Sequence, residues 1–480
     1  MKTIRVFGYI LAVLVSCNIL NSCSNDSSDD LDPVIQDAVA VEDLSGSGDS
    51  DVVDDATLKN VISAYLKNER NITSALPYKL STIKDDAGNV CMYVVNFTGN
   101  KGFLIVSATK KYNPILAFAD KGCFRTDIMG NMGVELWKQR TISDMKRISR
   151  CAPDSLKRFK PMWRAYNDKP VRRLKSRVSM QGLEDDPDYI MMHYVDRWQH
   201  EGYNIICLDE PGWTTGDELL DQNIKNTAFS STYAIYDENW EHYSIVIWKE
   251  YSFDDVNIYL NMPIWGQNNG YNEVFPGVGS LSHAYTGCAI LAVGQVMRYF
   301  EKPVCSASFP YQLNEMPYKM PTLETSQFLY DVFNKFSNKT VTETGTGSNI
   351  EESKSVLAKY GYSSKISDGV PGAVDDNLRD SKPVIMRGQI NNPSMGHQWI
   401  VCGRLGGSYY TKYELYTFTG ETAFENVWNY ETTVSHVNMY YMNWGWEGYN
   451  NGYFNVSAMR LPGYNERISK VRTLYDITYK

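Results

Sequence analysis

The chain has 480 residues, 43% of them hydrophobic and 13% aromatic, and a formal net charge of -9 at pH 7. Single hydrophobic cores stop growing at roughly 250 to 300 residues, so at least two domains are expected. No basic cluster resembles a phosphate-tracking surface, which argues against a nucleic-acid partner, and the acidic balance reports chiefly on solubility.

At the N-terminus, Lys2 and Arg5 precede the apolar run Phe7 to Val15, too short for a bilayer span and suited to an export signal. Two cysteines follow in small-residue contexts, at Cys17 and Cys23, both similar to the bacterial lipoprotein processing box. Cys23 is the preferred lipidation site, because the polar, acidic tether Ser24 to Asp30 follows it. Residues 1–23 therefore read as a lipoprotein signal peptide. The protein is expected to be exported and held at the outer membrane or cell surface by acyl chains, several of which hold where one is marginal, with release after processing. A plain secreted protein with an incidental cysteine is the alternative.

Residues 24–55, rich in Ser, Asp, Val and Gly, read as a flexible, solvated linker. Leu58, Val61, Ile62, Tyr65 and Leu66 recur at helical spacing after Asp54 and Asp55, which suit a helix N-terminus. Strand patterns run from Cys91 to Phe97 and from Phe103 to Ala108 around a turn at Gly99 to Gly102, and Leu136 to Ile148 reads as a second helix. Together these predict a small α+β module over 56–164. Residues 165–255 read as an extended spacer or processing region. Its basic run Arg172, Arg173, Lys175, Arg177 resembles a cleavable exposed segment, with an ordinary surface charge run as the alternative. Trp198, Trp213, Trp240 and Trp248 follow without any repeat.

The cysteines at 91, 123, 151, 207, 288, 305 and 402 show no C-x-x-C spacing, so neither a structural zinc nor a disulfide framework is indicated. Cys402, inside the apolar run Trp399 to Cys402, reads as a small buried hydrophobe. Cys288 is different. It opens the helical run Ala289 to Phe300, which ends at Glu301, Lys302 and Pro303. A helix N-terminus favours an anion by about 0.3 to 1 kcal/mol when exposed and up to about 2 when partly buried. At about 1.4 kcal/mol per pKa unit this moves a thiol by about one unit, so an imidazolium must supply the rest. Gly287 lets a bound carbonyl approach the backbone, and the Cys288 N–H is a natural oxyanion donor.

His397 falls at the start of the second strand of a predicted hairpin, Lys382 to Met386 and His397 to Cys402, turning at Asn391, Asn392, Pro393. Asn443 ends the strand-like run Val437 to Met442, and its amide is placed to accept from an imidazole N–H, with Trp444 shielding that bond from water. Ser348 and Glu351 form a capping-box pattern ahead of Val356 and Leu357. His283 and His436 read as structural or surface residues. No H-E-x-x-H spacing occurs, so no metal and no cofactor is required.

These residues resemble the streptopain family of papain-fold cysteine peptidases. The resemblance is carried by Trp265, Gly266, Gln267 with Tyr271, Asn272; by Thr286, Gly287, Cys288 through Tyr299; by Gly396, His397; and by Asn443 through Gly448 with Gly452, Tyr453, Phe454. Gly102 to Ala108 followed by Pro114 to Ala117 is similar to the inhibitory propeptide of the same family. The resemblance implies an α+β, papain-like, two-lobed cysteine peptidase domain over 256–480, preceded by a small α+β propeptide. It implies Cys288 as nucleophile, His397 as general base, Gln267 as side-chain oxyanion donor, and Asn443 with Trp444 as the support of the imidazole. Gly396, Gly347 and Ser348 would line the cleft, and an apolar specificity pocket is expected. A side-chain oxyanion donor contributes about 3 kcal/mol to the transition state.

The partners implied are protein or peptide substrates, the chain's own propeptide as inhibitor, and the membrane through the lipid anchor. The chain departs from the family in two places. The stretch from about 165 to 235 exceeds the usual spacer, and Glu447 stands where glycine is common. Two other functions fit the same residues: a cysteine amidase acting on cell-wall peptides, and a surface binder of glycans or peptides built on the aromatic stretch Trp428 to Tyr453.

Overall fold

The computed structural model describes residues 51–126, 132–150, 187–208, 220–224, 244–389, 396–418, 424–460 and 471–480, with 159, 162, 163, 166 and 226. Asp54 starts the first helix, α1 (Asp55–Ala64), its carboxylate accepting the Thr57 N–H at 2.8 Å, and the helix buries Leu58, Val61 and Ile62. Strands β1 (Tyr78–Lys84), β2 (Val90–Phe97), β3 (Phe103–Ser107) and β4 (Ile115–Ala119) form an antiparallel meander, and α2 (Met132–Ile148) follows. β3 is buried along its whole length, in keeping with its apolar run Phe103 to Val106.

Next come α3 (Pro187–His200), β5 (Asn204–Cys207) and β6 (Ser244–Tyr259). The remaining chain forms α4 (Cys288–Phe300), α5 (Leu323–Lys335), β7 (Lys339–Thr342), β8 (Gly345–Ser348), α6 (Ile350–Lys359), β9 (Tyr362–Asp368) and α7 (Ala373–Arg379). It ends with β10 (Val384–Gln389), β11 (Gly396–Phe418), β12 (Phe424–Asn443), β13 (Gly452–Asn455), α8 (Ser457–Arg460) and β14 (Val471–Tyr479). Every residue of α4 from Cys288 to Arg298 is buried, which explains its apolar character on all faces. Glu301 then closes the helix in a left-handed conformation, φ 54°.

One sheet runs through the molecule in the order β1-β2-β3-β4-β13-β12-β11-β10-β14-β9, with β6 hydrogen-bonded to β11 and β5 to β6. The N-terminal meander and the C-terminal sheet therefore share a seam, where Phe118 pairs with Tyr453 and Ala117 with Phe454. Trp137 of α2 reinforces it. Its indole N–H donates to the Asn455 carbonyl at 3.0 Å, and its ring meets Phe454 edge-on at 5.0 Å. Arg125 and Asn450 exchange two further hydrogen bonds across the junction, at 2.7 and 2.8 Å.

The expectation of an extended spacer over 165–255 is corrected in its described part. β6 pairs with β11 from Tyr259 opposite Gly403 to Ser244 opposite Thr417, lengthening the β11–β12 hairpin into an arm. Ile245 and Ile247 pack with Val195 and Trp198 on one face of that arm, while Val246 packs with Leu220, Ile224, Tyr413 and Leu415 on the other. A strand apolar on both faces needs cover on both, and the flanking helical segments provide it. The basic run 172–177, Trp213, Trp240 and both candidate lipidation cysteines lie outside the described residues.

Replacing Trp137 with Ala removes a buried ring and a buried hydrogen bond from the seam. Trp137→Ala is expected to lower the unfolding free energy of the full chain by about 3 to 5 kcal/mol, measured by urea denaturation.

Candidate active site

The turn that presents Cys288 is held from two sides. Gly287 precedes α4 with φ 92°, and a Cβ there would stand 2.5 Å from the Thr346 carbonyl oxygen of β8, so only glycine fits. Thr346 donates its hydroxyl to the Tyr285 carbonyl at 2.7 Å, tying β8 to the same turn. On the other side the Thr286 N–H donates to the Gln267 carbonyl at 3.0 Å. The Gln267 side chain is itself buried, and its amide takes no hydrogen-bond partner among the described residues.

His397 comes from β11, in register with Gly388 of β10, and is 3% exposed. Its Nε2 lies 2.8 Å from the Trp444 carbonyl oxygen. A carbonyl can only accept, so Nε2 carries the proton and the tautomer is set by a backbone atom. The ring lies nearly parallel to that of Trp399, at 13°, and Trp399 in turn packs on Trp444 at 5.2 Å. The next residue, Gln398, donates its backbone N–H to the Cys288 sulfur at 3.4 Å. The Gln398 side chain reaches the Ser348 and Asn349 carbonyls, each at 3.3 Å, and accepts from the Ser353 hydroxyl at 2.9 Å.

Burial pushes the Cys288 thiol up, but more pulls it down. The charge and hydrogen bonding of His397, the Gln398 N–H and the charge of Arg387 outweigh desolvation and leave the thiol below its ordinary value. Cys402 has no such neighbours. Burial alone raises it far above the usual thiol range, in keeping with a packing role.

Asn443 does not hold the imidazole. Its amide donates to the Pro263 carbonyl at 2.8 Å, and its oxygen accepts from the Gly445 N–H at 3.3 Å and the Asn451 amide at 3.2 Å. Asn451 accepts the Trp444 N–H at 2.9 Å. The two asparagines thus fix the peptide whose carbonyl faces His397, one bond further from the ring than the sequence implied. The Trp444 indole is wholly buried, against Trp399 and Phe454.

Gly347 and Ser348, expected to line the cleft, lie in the strand β8. Gly345–Ser348 pairs with β7, and the Ser348 hydroxyl is spent on the Asn338 carbonyl at 2.6 Å. The helix cap moves one residue on, to Asn349, which accepts the Glu352 N–H at 2.7 Å. Both positions fit the cap pattern, and the hairpin decides between them. Gly347 has open space beside its Cα, and Gly396 lies against the Arg387 guanidinium.

Glu447 takes a left-handed conformation, φ 52°, so the chain keeps there the backbone that glycine would supply. Its N–H donates to the Trp265 carbonyl at 3.2 Å and its carboxylate accepts from the Asn269 amide at 2.7 Å, strapping the Trp444 loop to the Gln267 segment. His283 bonds the Phe275 carbonyl at 2.9 Å, and the His436 side chain lies outside the described residues.

Sequence reasoning missed three contributors, Gln398, Arg387 and the Trp444 carbonyl. Arg387 had a visible signal, as a lone charge within the buried run Val384 to Gly388. The other two act through backbone atoms, which side-chain identity does not reveal.

The N-terminal module reaches the imidazole. A Cβ on Gly133 of α2 would stand 2.5 Å from the Trp444 ring and 2.8 Å from His397 Cδ2, and Leu136 sits on Gly388.

Comparison with known proteins identifies both parts. Residues 50–144 match the family described as Spi protease inhibitor, and residues 265–369 and 329–454 match the Peptidase C10 family. No curated protein sequence matches the chain. A solved structure of a prointerpain A fragment from Prevotella intermedia is similar at 14% identity and a TM-score of 0.42, covering 83% of this chain and 98% of its own. The active interpain A cysteine protease of the same organism is similar at 16% identity and a TM-score of 0.32, covering 46% of this chain and 95% of its own.

The lowered Cys288 value predicts that its alkylation by iodoacetamide persists to lower pH than that of an ordinary thiol. In His397→Ala the compensating charge is gone while burial remains. The midpoint of the pH–alkylation curve is then expected to rise past the ordinary thiol value of about 8.5.

Proposed function

We propose that this chain, whose residues 265–454 belong to the Peptidase C10 family and whose residues 50–144 belong to the Spi protease inhibitor family, hydrolyses peptide bonds with Cys288 as nucleophile and His397 as its acid–base partner. The protein is a cysteine endopeptidase carried in a precursor with its own inhibitor module. One observation carries the residue assignment: a thiol lowered at a helix start, beside an imidazole whose far nitrogen is committed to the Trp444 carbonyl.

With Nε2–H donated to that carbonyl, Nδ1 is the nitrogen left to exchange a proton with sulfur. The Cys288 thiolate attacks the scissile carbonyl carbon, and the developing oxyanion is stabilised by the Cys288 N–H and the Gln267 amide. The His397 imidazolium gives its proton to the leaving amine as the C–N bond breaks. Water, deprotonated by the now neutral ring, then attacks the thioester, and the thiolate leaves. Asn443, through Asn451, keeps the Trp444 carbonyl aimed at the ring. Gly396, Gly347 and Ser348 line the acyl side of the cleft.

Latency follows from the seat of α2 over the imidazole and from the β4–β13 seam, which together cover the cleft until the module is removed. Export with acylation at Cys23 is part of the same reading, and rests on the sequence of the leader. Mass spectrometry of the mature N-terminus is expected to find diacylglycerol on Cys23; an unmodified N-terminus refutes the anchor.

Incubated under reducing conditions with an unrelated unfolded protein, the purified precursor is expected to process itself and cleave that protein. Cys288→Ala is expected to do neither, and equal activity in both places the nucleophile elsewhere. Gly133→Val overpacks only the inhibitor side of the contact, by about 1 to 3 kcal/mol. Its precursor is expected to mature faster in a gel time course.

A further inference from the structure

The thiol and the imidazole come from distant segments, and β8 is bonded to both of them. At one end it is pinned to the turn that carries Cys288. The Thr346 hydroxyl donates to the Tyr285 carbonyl at 2.7 Å, and the Thr346 carbonyl oxygen leaves no room for a Cβ on Gly287. At the other end it is pinned to the strand that carries His397. The Gln398 side-chain amide donates to the Ser348 and Asn349 carbonyls, each at 3.3 Å, and its oxygen accepts from the Ser353 hydroxyl of α6 at 2.9 Å.

Gln398 acts in two directions. Side chains alternate along β11, so its buried side chain faces away from that of His397 and reaches β8, while its backbone N–H donates to the Cys288 sulfur at 3.4 Å. The β11–β12 ladder stops at Ile400 opposite Asn443, short of Gln398, so pairing with β12 does not fix this peptide and the side chain supplies a second hold. The strand it grips is stiff. β8 pairs with β7 along its length, and the Ser348 hydroxyl donates to the Asn338 carbonyl at 2.6 Å. The Glu352 carboxylate of α6 receives the Ser337 N–H at 2.7 Å and the Asn338 amide at 3.3 Å, which holds the approach to β7.

We propose that β8 is a strut that sets the separation of sulfur and imidazole, and that Gln398 is the positioning residue that latches it to the histidine strand. The inference rests on the peptidase reading for its purpose, because a nucleophile and its base exchange a proton only within hydrogen-bond reach. The contacts close a ring that runs from the Cys288 turn through Tyr285, Thr346 and β8 to Gln398, and back through its N–H to the sulfur. Opening the ring at either pin frees the same relative motion, so breaking both adds little to breaking one.

The test is read at the sulfur of the full chain, as the iodoacetamide alkylation of the Cys288 peptide against pH, followed by mass spectrometry. Gln398→Met keeps the side-chain volume and removes its hydrogen bonds to β8 and α6, and Thr346→Val removes the hydroxyl at the other pin. Each is expected to raise the alkylation midpoint by roughly half a unit to one unit, because the sulfur stays buried while its stabilising neighbours move off. The double variant is expected to match the larger single shift, and kcat/KM on a peptide to fall roughly tenfold to a hundredfold in each. A merely structural role lowers the urea unfolding midpoint and leaves the alkylation midpoint at its wild-type value, which overturns the proposal, as do single shifts that add in full. If Gln398→Met does not fold, Thr346→Val decides by itself, a raised midpoint supporting the strut and an unmoved one overturning it. A wild-type chain that cleaves no peptide while these shifts hold overturns the peptidase reading and supports the strut.

Discussion

Desolvation raises the pKa of a thiol, and Cys288 is almost wholly removed from water, so its ionisation depends on charges and dipoles brought from other segments. A helix N-terminus offsets about one unit at best. The remainder comes from the antiparallel pairing of β10 with β11. That pairing places the His397 ring, the Gln398 N–H and the Arg387 guanidinium around one sulfur. Any change that slips this register by one residue turns His397 and Gln398 to opposite faces and removes all three effects together.

The imidazole is itself dependent. Its tautomer is set by the Trp444 carbonyl, whose peptide is held by Asn443 and Asn451 and roofed by Trp399 and Phe454. Glu447 extends this support to the segment that carries Gln267. The inhibitor module takes hold at the same place. Through the β4–β13 seam its meander continues the catalytic sheet, and α2 comes to rest on Trp444 and His397. The seam is made of ladder pairing and buried rings, so the module is tied to the sheet by backbone as well as by side chains.

Much of this was legible in the chain. The apolar spacing after Asp54, the strands around Gly99 to Gly102 and the largely apolar run after Cys288 each satisfy a local pattern, and local pattern is what a backbone reads first. Other readings lay beyond it. Ser348 and Asn349 both fit a cap, and only the β7–β8 hairpin, which claims the Ser348 hydroxyl, settles which one acts. Residues 187–259 lack an alternating pattern because β6 is covered on both faces, so a paired strand passed for part of a spacer.

The amino-acid sequence by itself determined which side chains are available for thiol and imidazole chemistry and where helices and strands begin, since capping, periodicity and glycine's conformational freedom act over a few residues. Tertiary structure alone decided that a backbone carbonyl, not the Asn443 amide, receives the imidazole proton, and that a guanidinium stands beside the thiol. The physical reason is the same in both cases. Peptide groups are identical at every position, and charges act through space, so neither effect is visible until distant strands have been paired.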